Sequence, residues 1–352
     1  MTGPLGIWQH ANGTQPDPAF GTCTDDVSRA LTVDLLQRRT LGWEAVSVTA
    51  RRSMDHLSAA FDAALGTFRD FRGPDGTWLD VAGSQDCQGR ALLSLGIAAR
   101  DAPEVRLRGD ARALFDAAVP AARKLTSPRA VASAILGCDA ALAGQPDDAT
   151  RALLSQLAHR LRGAFSEVDA EGEWPWPEQE LTYENALLPH AVIVAGRRLA
   201  DPGLRRIGLE VLDWLIAIQT TRRGMFTPVG NDGWWPRGGV RSRFDQQPIE
   251  ATALILAAEA AYDVTADVSY RRAAESAYAW FLGDNEGDMV VADMATGGCR
   301  DGLEEGHVNQ NQGAESTLMW LTAVETIRAM RSHAAAVRTH ALGRGTTLVE
   351  VR

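Results

Sequence analysis

Carboxylates head five of the six most apolar runs in the chain. Asp25 and Asp26 precede VSRALTVDLL, Asp86 precedes CQGRALLSLGIAA, Glu184 precedes NALLPHAVIVAG, Glu250 precedes ATALILAAEAAY and Glu315 precedes STLMWLTAVETI. Any one of them is explained by its charge against the helix dipole and by capping of free N–H groups, worth about 0.3–1 kcal/mol. Five such starts converging on one cavity would act differently. Like charges crowded in a partly dry site raise one another's pKa, and a carboxyl kept protonated near neutral pH is a proton donor. Asp26, Asp86, Glu184, Glu250 and Glu315 are therefore the candidate catalytic acids. The acid–base pair is expected among Glu184, Glu250 and Glu315, with Asp25, Asp26 and Asp86 positioning water or hydroxyls.

Around these acids the sequence places flat aromatic faces and neutral polar groups. Trp174-Pro-Trp176 and Trp234-Trp235-Pro236 lie in Gly/Pro-rich stretches without helical periodicity. Such faces beside fixed polar groups suit a sugar, whose C–H face stacks while its hydroxyls hydrogen-bond. The candidate ligand-binding set adds Gln9, His10, Asp25, Arg90, Tyr183, Asn185, His190, Asp245, Gln246, Gln247, Asn309, Asn311 and Gln312. His190, six residues beyond Glu184, and His307 would matter to a histidine-based reaction. No HExxH, GxSxG, Walker A or dinucleotide-binding fingerprint occurs, so neither a metal nor a cofactor is expected.

The elements that must hold these residues are helices. Six runs rich in Ala, Leu and Gly begin near residues 25, 86, 128, 184, 249 and 314, and helices apolar almost all round are buried on both sides. Between them lie amphipathic segments at 45–65, 110–124, 148–165, 204–219 and 269–282, which read as outer helices. A sixth outer helix is not evident, because the last pattern runs on past Arg331. The starts lie 42 to 65 residues apart, whereas a bare helix pair needs about 40 residues. The excess sits in loops at 71–85, 168–183, 224–248 and 283–313, all before inner helices. Long ordered loops gathered at one end of a ring mark the functional face. The reading is an all-α (α/α)6 toroid, one domain over residues 1–342 with a tail at 343–352.

Composition narrows the partners. A formal charge of -10 argues against nucleic acid, because no basic face is available for phosphates. No uncharged apolar run reaches about 18 residues, and Met1–His10 has no basic or apolar signal region, so a cytoplasmic protein is expected. Cys23, Cys87, Cys138 and Cys299 are widely separated and read as free thiols.

At these residues the chain resembles a known family. GIWQHANGTQPDPAFGTCTDDVSRAL, SQDCQGRALLSLG, LTYENALLPHAVIVAG, FDQQPIEATALILAAEAAYDVTAD and GGCRDGLEEGHVNQNQGAESTLMWL are similar, in order, to the motifs of bacterial six-hairpin-glycosidase-like proteins. The resemblance implies the toroid, a sugar context, and association with or fusion to a glycosyltransferase. Where that family's pattern has Glu-Asp before the second inner helix, this chain has Gln85-Asp86. The functional expectation is a glycoside hydrolase-like enzyme, inverting, acting on an oligosaccharide or sugar-containing small molecule. Its alternatives are a sugar epimerase or isomerase using a His/Glu pair, and a non-catalytic sugar-binding partner of a glycosyltransferase.

Overall fold

The computed structural model describes residues 2–166 and 174–345. Its eleven described α-helices are α1 (Thr24–Leu41), α2 (Trp43–Ala60), α3 (Gln85–Asp101), α4 (Val105–Ala122), α5 (Pro128–Gly144), α6 (Asp148–Ser166), α7 (Leu187–Arg198), α8 (Pro202–Ile218), α9 (Pro248–Thr265), α10 (Val268–Phe281) and α11 (Ala314–Gly345). The odd-numbered helices form a closed inner ring, each touching the next, with α11 returning against α1. The even-numbered helices pack outside. The fold is the expected (α/α)6 toroid, with six inner and five outer helices. No described helix is long and apolar enough to cross a membrane.

Small residues let the ring close tightly. A Cβ on Gly96 would lie 2.1 Å from the Gly137 carbonyl oxygen, and one on Gly137 would lie 2.5 Å from that of Leu92. Helices α3 and α5 therefore meet backbone to backbone, a distance only glycine permits. The outer helices show one buried stripe each: Leu204, Gly208, Val211, Leu212 and Leu215 form that of α8. Starts are fixed by local chemistry. Ser84 Oγ accepts from Cys87 N at 3.1 Å ahead of α3, and Asp201 accepts from Gly203 and Leu204 N ahead of α8.

Several boundaries depart from expectation. Helix α2 stops at Ala60, because Phe61–Asp62 turns back to pair with Thr67–Phe68. Helix α4 starts at Val105, earlier than residue 110, and α7 starts at Leu187, later than Glu184. Glu184 sits in the left-handed region at φ 51, which no helix accommodates. Helix α11 runs unbroken from Ala314 to Gly345, so the sixth hairpin has no return helix among the described residues. Residues 346–352, most of the expected tail, and 167–173, which include the start of the second long loop, lie outside the described residues. Strands are short ribbons of two or three residues, such as Thr22–Cys23 on Phe71–Arg72 and Glu180–Leu181 on Trp235–Pro236, and they tie the loops together at the inner-helix starts.

Candidate active site

Two arginines organise the rim. Arg90, one turn into α3, reaches Asp25 at 2.7 Å and Glu184 at 2.9 Å. Arg29, the corresponding residue of α1, reaches Asp26 at 2.8 Å and Glu315 at 2.6 Å. Four of the expected rim acids are thus brought together, but in arginine-bridged trios, each with two carboxylates on one guanidinium, rather than as bare carboxylates repelling one another. Both guanidinium groups are nearly buried, and a fork-shaped donor can hold two carboxylates at once. Asp26 is the deepest of the four. Burial pushes its carboxyl up to about 6 against the pull of Arg29, with a smaller upward push from Glu315.

Above Arg90 opens a pocket of about 580 Å³ lined by Asp25, Asp70, Asp86, Glu315, Tyr183 and Ser127, among others. Asp86 accepts from Ser127 Oγ at 2.9 Å and from the Tyr183 hydroxyl. Burial, and then this bond to Asp86, raise the Tyr183 phenol, so it stays a donor. Arg129 holds Tyr183 in place: its Nε donates to the Tyr183 carbonyl at 2.6 Å and its guanidinium lies 4.5 Å from the ring centroid. Trp234 closes this side, 6.4 Å from the Tyr183 ring, on a backbone at φ 52.

Asp70 belongs to this pocket and was not anticipated. It is 4% exposed, and its Oδ1 accepts from Thr24 N at 3.1 Å and Asp25 N at 3.4 Å, so it caps α1 from outside the helix. Burial, with Asp25 next in weight, pushes its carboxyl up to about 7. Among the described residues no ion pair to it is seen, whereas Asp25 beside it is paired with Arg90. Asp25 Oδ1 is buried without a hydrogen-bond partner. Ligand atoms of Asp25, Asp70 and Cys87 lie within 4.8 Å of one another, the one such group among the described residues. Two carboxylates and a thiol would suit a borderline-soft divalent ion such as zinc.

Other expected residues fall elsewhere. Glu250 is 3% exposed and does not line this pocket. Asn185 donates to it at 2.9 Å, and burial pushes its carboxyl up to about 7. Trp174 and Trp176 are core residues, packed on Trp214 of α8, with Trp174 also meeting Trp235. Their loop turns its aromatic faces inward, because that is where a Gly/Pro segment without helical periodicity buries apolar area. Gln246 is fully buried, bridging Trp280, Glu286 and the Arg243 carbonyl. Gln312 is buried against Asp293 and Thr296, while Asn309 bonds Glu304 and Asn311 accepts from Gly13 N. Asp245, raised by burial, faces Asn231, and Gln247 precedes α9 without a side-chain cap. Gln9 ties the N-terminal loop to the ring through its carbonyl, which accepts from Ala314 N. These residues brace the loops.

The histidines divide similarly. His10 is exposed against Phe20, and His307 lies exposed on a two-residue strand paired with Glu304. His190 instead faces a second space below the rim, a cavity of about 340 Å³ along the toroid axis that Arg90 and Glu184 also line. Burial pushes its imidazole down to about 4, so it is neutral there.

No protein-family model and no curated protein sequence matches the chain. Solved structures match its fold. A sugar epimerase from a ruminal bacterium has a TM-score of 0.70 at 12% identity, covering 93% of this chain and 92% of that one. Cellobiose 2-epimerase from Bacillus thermoamylovorans has 0.72 at 11%, covering 94% and 93%. The GH76 α-mannanase from Bacteroides thetaiotaomicron has 0.62 at 8%, covering 88% and 87%. At such identities the likeness is one of fold.

Proposed function

We propose that this chain is a carbohydrate-active enzyme that cleaves a glycosidic bond by carboxyl acid–base chemistry in the rim pocket. The observation that carries it is the convergence of Asp25, Asp70, Asp86 and Glu315 on one open pocket in which Arg90 is the one basic residue among the described residues that line it. Asp70, up at about 7 beside an Arg-paired Asp25, is the proton donor to the leaving oxygen. Asp86, fixed by Ser127 and Tyr183 with lone pairs to spare, is the base that takes a proton from the attacking water. Glu315 and Asp25, anchored by Arg29 and Arg90, hold sugar hydroxyls. The toroids of similar fold include a mannanase and sugar epimerases, which is consistent with a sugar in such a ring. Inversion is the expected outcome, read from the first-formed anomer by NMR. The test is product release from a panel of aryl glycosides and oligosaccharides by wild type, Asp70→Asn and Asp86→Asn. Cleavage by wild type alone supports the assignment, and equal cleavage by all three removes it.

One observation favours a second reading. The His190 side chain makes no hydrogen bond to a described residue and shares the axial cavity with Glu184, so an imidazole and an Arg90-paired carboxylate stand on one wall of that space. That pair suits 2-epimerisation, whereas a pair of His190 with His307 does not assemble, since His307 lies outside the cavity. Loss of epimerisation in His190→Asn, with Asp70→Asn unaffected, would decide for it.

A further inference from the structure

Below the rim the toroid axis is hollow, and its wall is unlike that of a sugar site. The cavity follows the inner stripe of all six inner helices, from Arg90 at one end of α3 to Arg100 at the other. Ten residues at 1.5 Å rise make that about 15 Å. Leu36, Leu93, Ile97, Leu136, Val194 and Leu256 supply aliphatic surface, and no Phe, Tyr or Trp side chain lines it among the described residues.

Its threonine hydroxyls donate to backbone carbonyls. Thr32 donates to the Ser28 carbonyl at 3.2 Å, Thr252 to Met319 at 2.9 Å, Thr322 to Leu318 at 2.8 Å and Thr326 to Thr322 at 2.8 Å. With their O–H groups spent on backbone carbonyls, these threonines add methyl surface to the wall. Ser28, Ser133 and His190 are the polar side chains left along the middle, and the charged groups sit at the two ends. Sugar hydroxyls placed here would lose water without finding enough partners, which is unfavourable. A cavity of this kind takes apolar ligands instead.

We propose that the axial cavity holds an unbranched aliphatic chain, so that the substrate is an amphiphilic glycoside with its sugar at the rim and its alkyl chain down the axis. The placement of the sugar rests on the function proposed above; the affinity of the cavity for an alkyl chain does not. Arg90 lines both spaces, so the rim pocket and the axial cavity adjoin at its guanidinium.

The test is isothermal titration of the full chain with n-alkanols from hexanol to decanol, below their solubility limits. Each added methylene is expected to tighten Kd about fourfold. Ala260→Phe and Ala140→Phe, which each put a ring into the cavity, should weaken decanol binding at least about tenfold. If those variants do not fold, Leu256→Ala, which lengthens the free space, should extend the methylene series past the chain length at which wild type levels off. Asp70→Asn, altered only at the rim, should bind decanol like wild type. If glycosides are turned over but no alkanol binds, the axial proposal is wrong and the rim assignment stands. If alkanols bind in series but no glycoside is cleaved, the rim assignment fails and the axial site stands. Alkanol binding without methylene dependence, or displacement of decanol by free hexoses, overturns the aliphatic assignment.

Discussion

Replacing Asp70 with Asn separates proton transfer from structure more cleanly than any other change at the rim. Asp70 Oδ1 caps α1 through Thr24 N at 3.1 Å and Asp25 N at 3.4 Å, and an Asn Oδ1 accepts the same two bonds. The new amide N–H stands beside Asp25, whose Oδ1 is buried without a partner. A buried carboxyl raised to about 7 is also lost, so its ionisation no longer opposes folding. Stability should therefore hold or rise slightly, and Tm should move by no more than a few degrees. Turnover should fall about 10²–10⁴-fold, the usual worth of a positioned general acid. A dinitrophenyl glycoside departs as a weak base and needs no proton, so the variant should lose far less on it than on an alkyl glycoside. Wild-type kcat/KM on alkyl glycosides should decline as pH rises through about 7, and the residual activity of the variant should lack that limb. Steady-state kinetics on the two substrate classes across pH is the assay. A variant that folds, turns over normally on alkyl glycosides and keeps the limb would refute the role of Asp70.

Further expectations concern stability. Arg90→Met strands Asp25 and Glu184 in a largely buried site and should cost about 3–5 kcal/mol, read by urea denaturation; a cost under about 1 kcal/mol would show the trio to be solvated. Trp176→Ala should also cost about 3–5 kcal/mol, because the ring is 2% exposed and stacked on Trp214; loss of ligand binding without loss of stability would return it to the site. Asp34, Asp70, Glu250 and Glu259 are raised to about 7 and Asp26 to about 6, so between their ordinary values and these the folded state binds more protons than the unfolded. Their contribution is complete at low pH and lost as pH rises through 6 to 7. His56 and His190, lowered to about 4, act oppositely between about pH 4 and 6.5, but five carboxyls outweigh two imidazoles. Tm measured by calorimetry should therefore fall between pH 5 and pH 8, and a rise over that range would contradict the burial of these acids.

The ring was legible because inner and outer helices carry different patterns: apolar all round for α5 and α9, one stripe for α8. The convergence of Asp25, Asp26, Glu184 and Glu315 followed from placing every long loop before an inner helix. Their pairing did not. Asp86 stands four residues before Arg90, a spacing that suggests an ion pair along one helix, yet Arg90 crosses to Asp25 and Glu184 while Asp86 turns to Tyr183 and Ser127. Asp70 is not legible in the sequence because it caps a helix 46 residues earlier in the chain, and a cap supplied across the fold leaves no local signal. Trp174 and Trp176 lie in a stretch whose polarity and missing periodicity fit an exposed loop. Their packing on Phe165 of α6, Trp214 of α8 and Trp235 in the next loop shows why they face inward. Glu250 heads its helix as expected, but it is sealed in by Asn185, which follows Glu184 in sequence.

The central claim is that carboxyls of the rim pocket, rather than a histidine on the toroid axis, do the chemistry. The most direct test gives wild type, Asp70→Asn and His190→Asn the same panel of disaccharides and alkyl glycosides, with products separated by chromatography. The account predicts cleaved products from wild type and from His190→Asn, and almost none from Asp70→Asn. Epimerised but uncleaved disaccharide from wild type and Asp70→Asn, absent in His190→Asn, would contradict it.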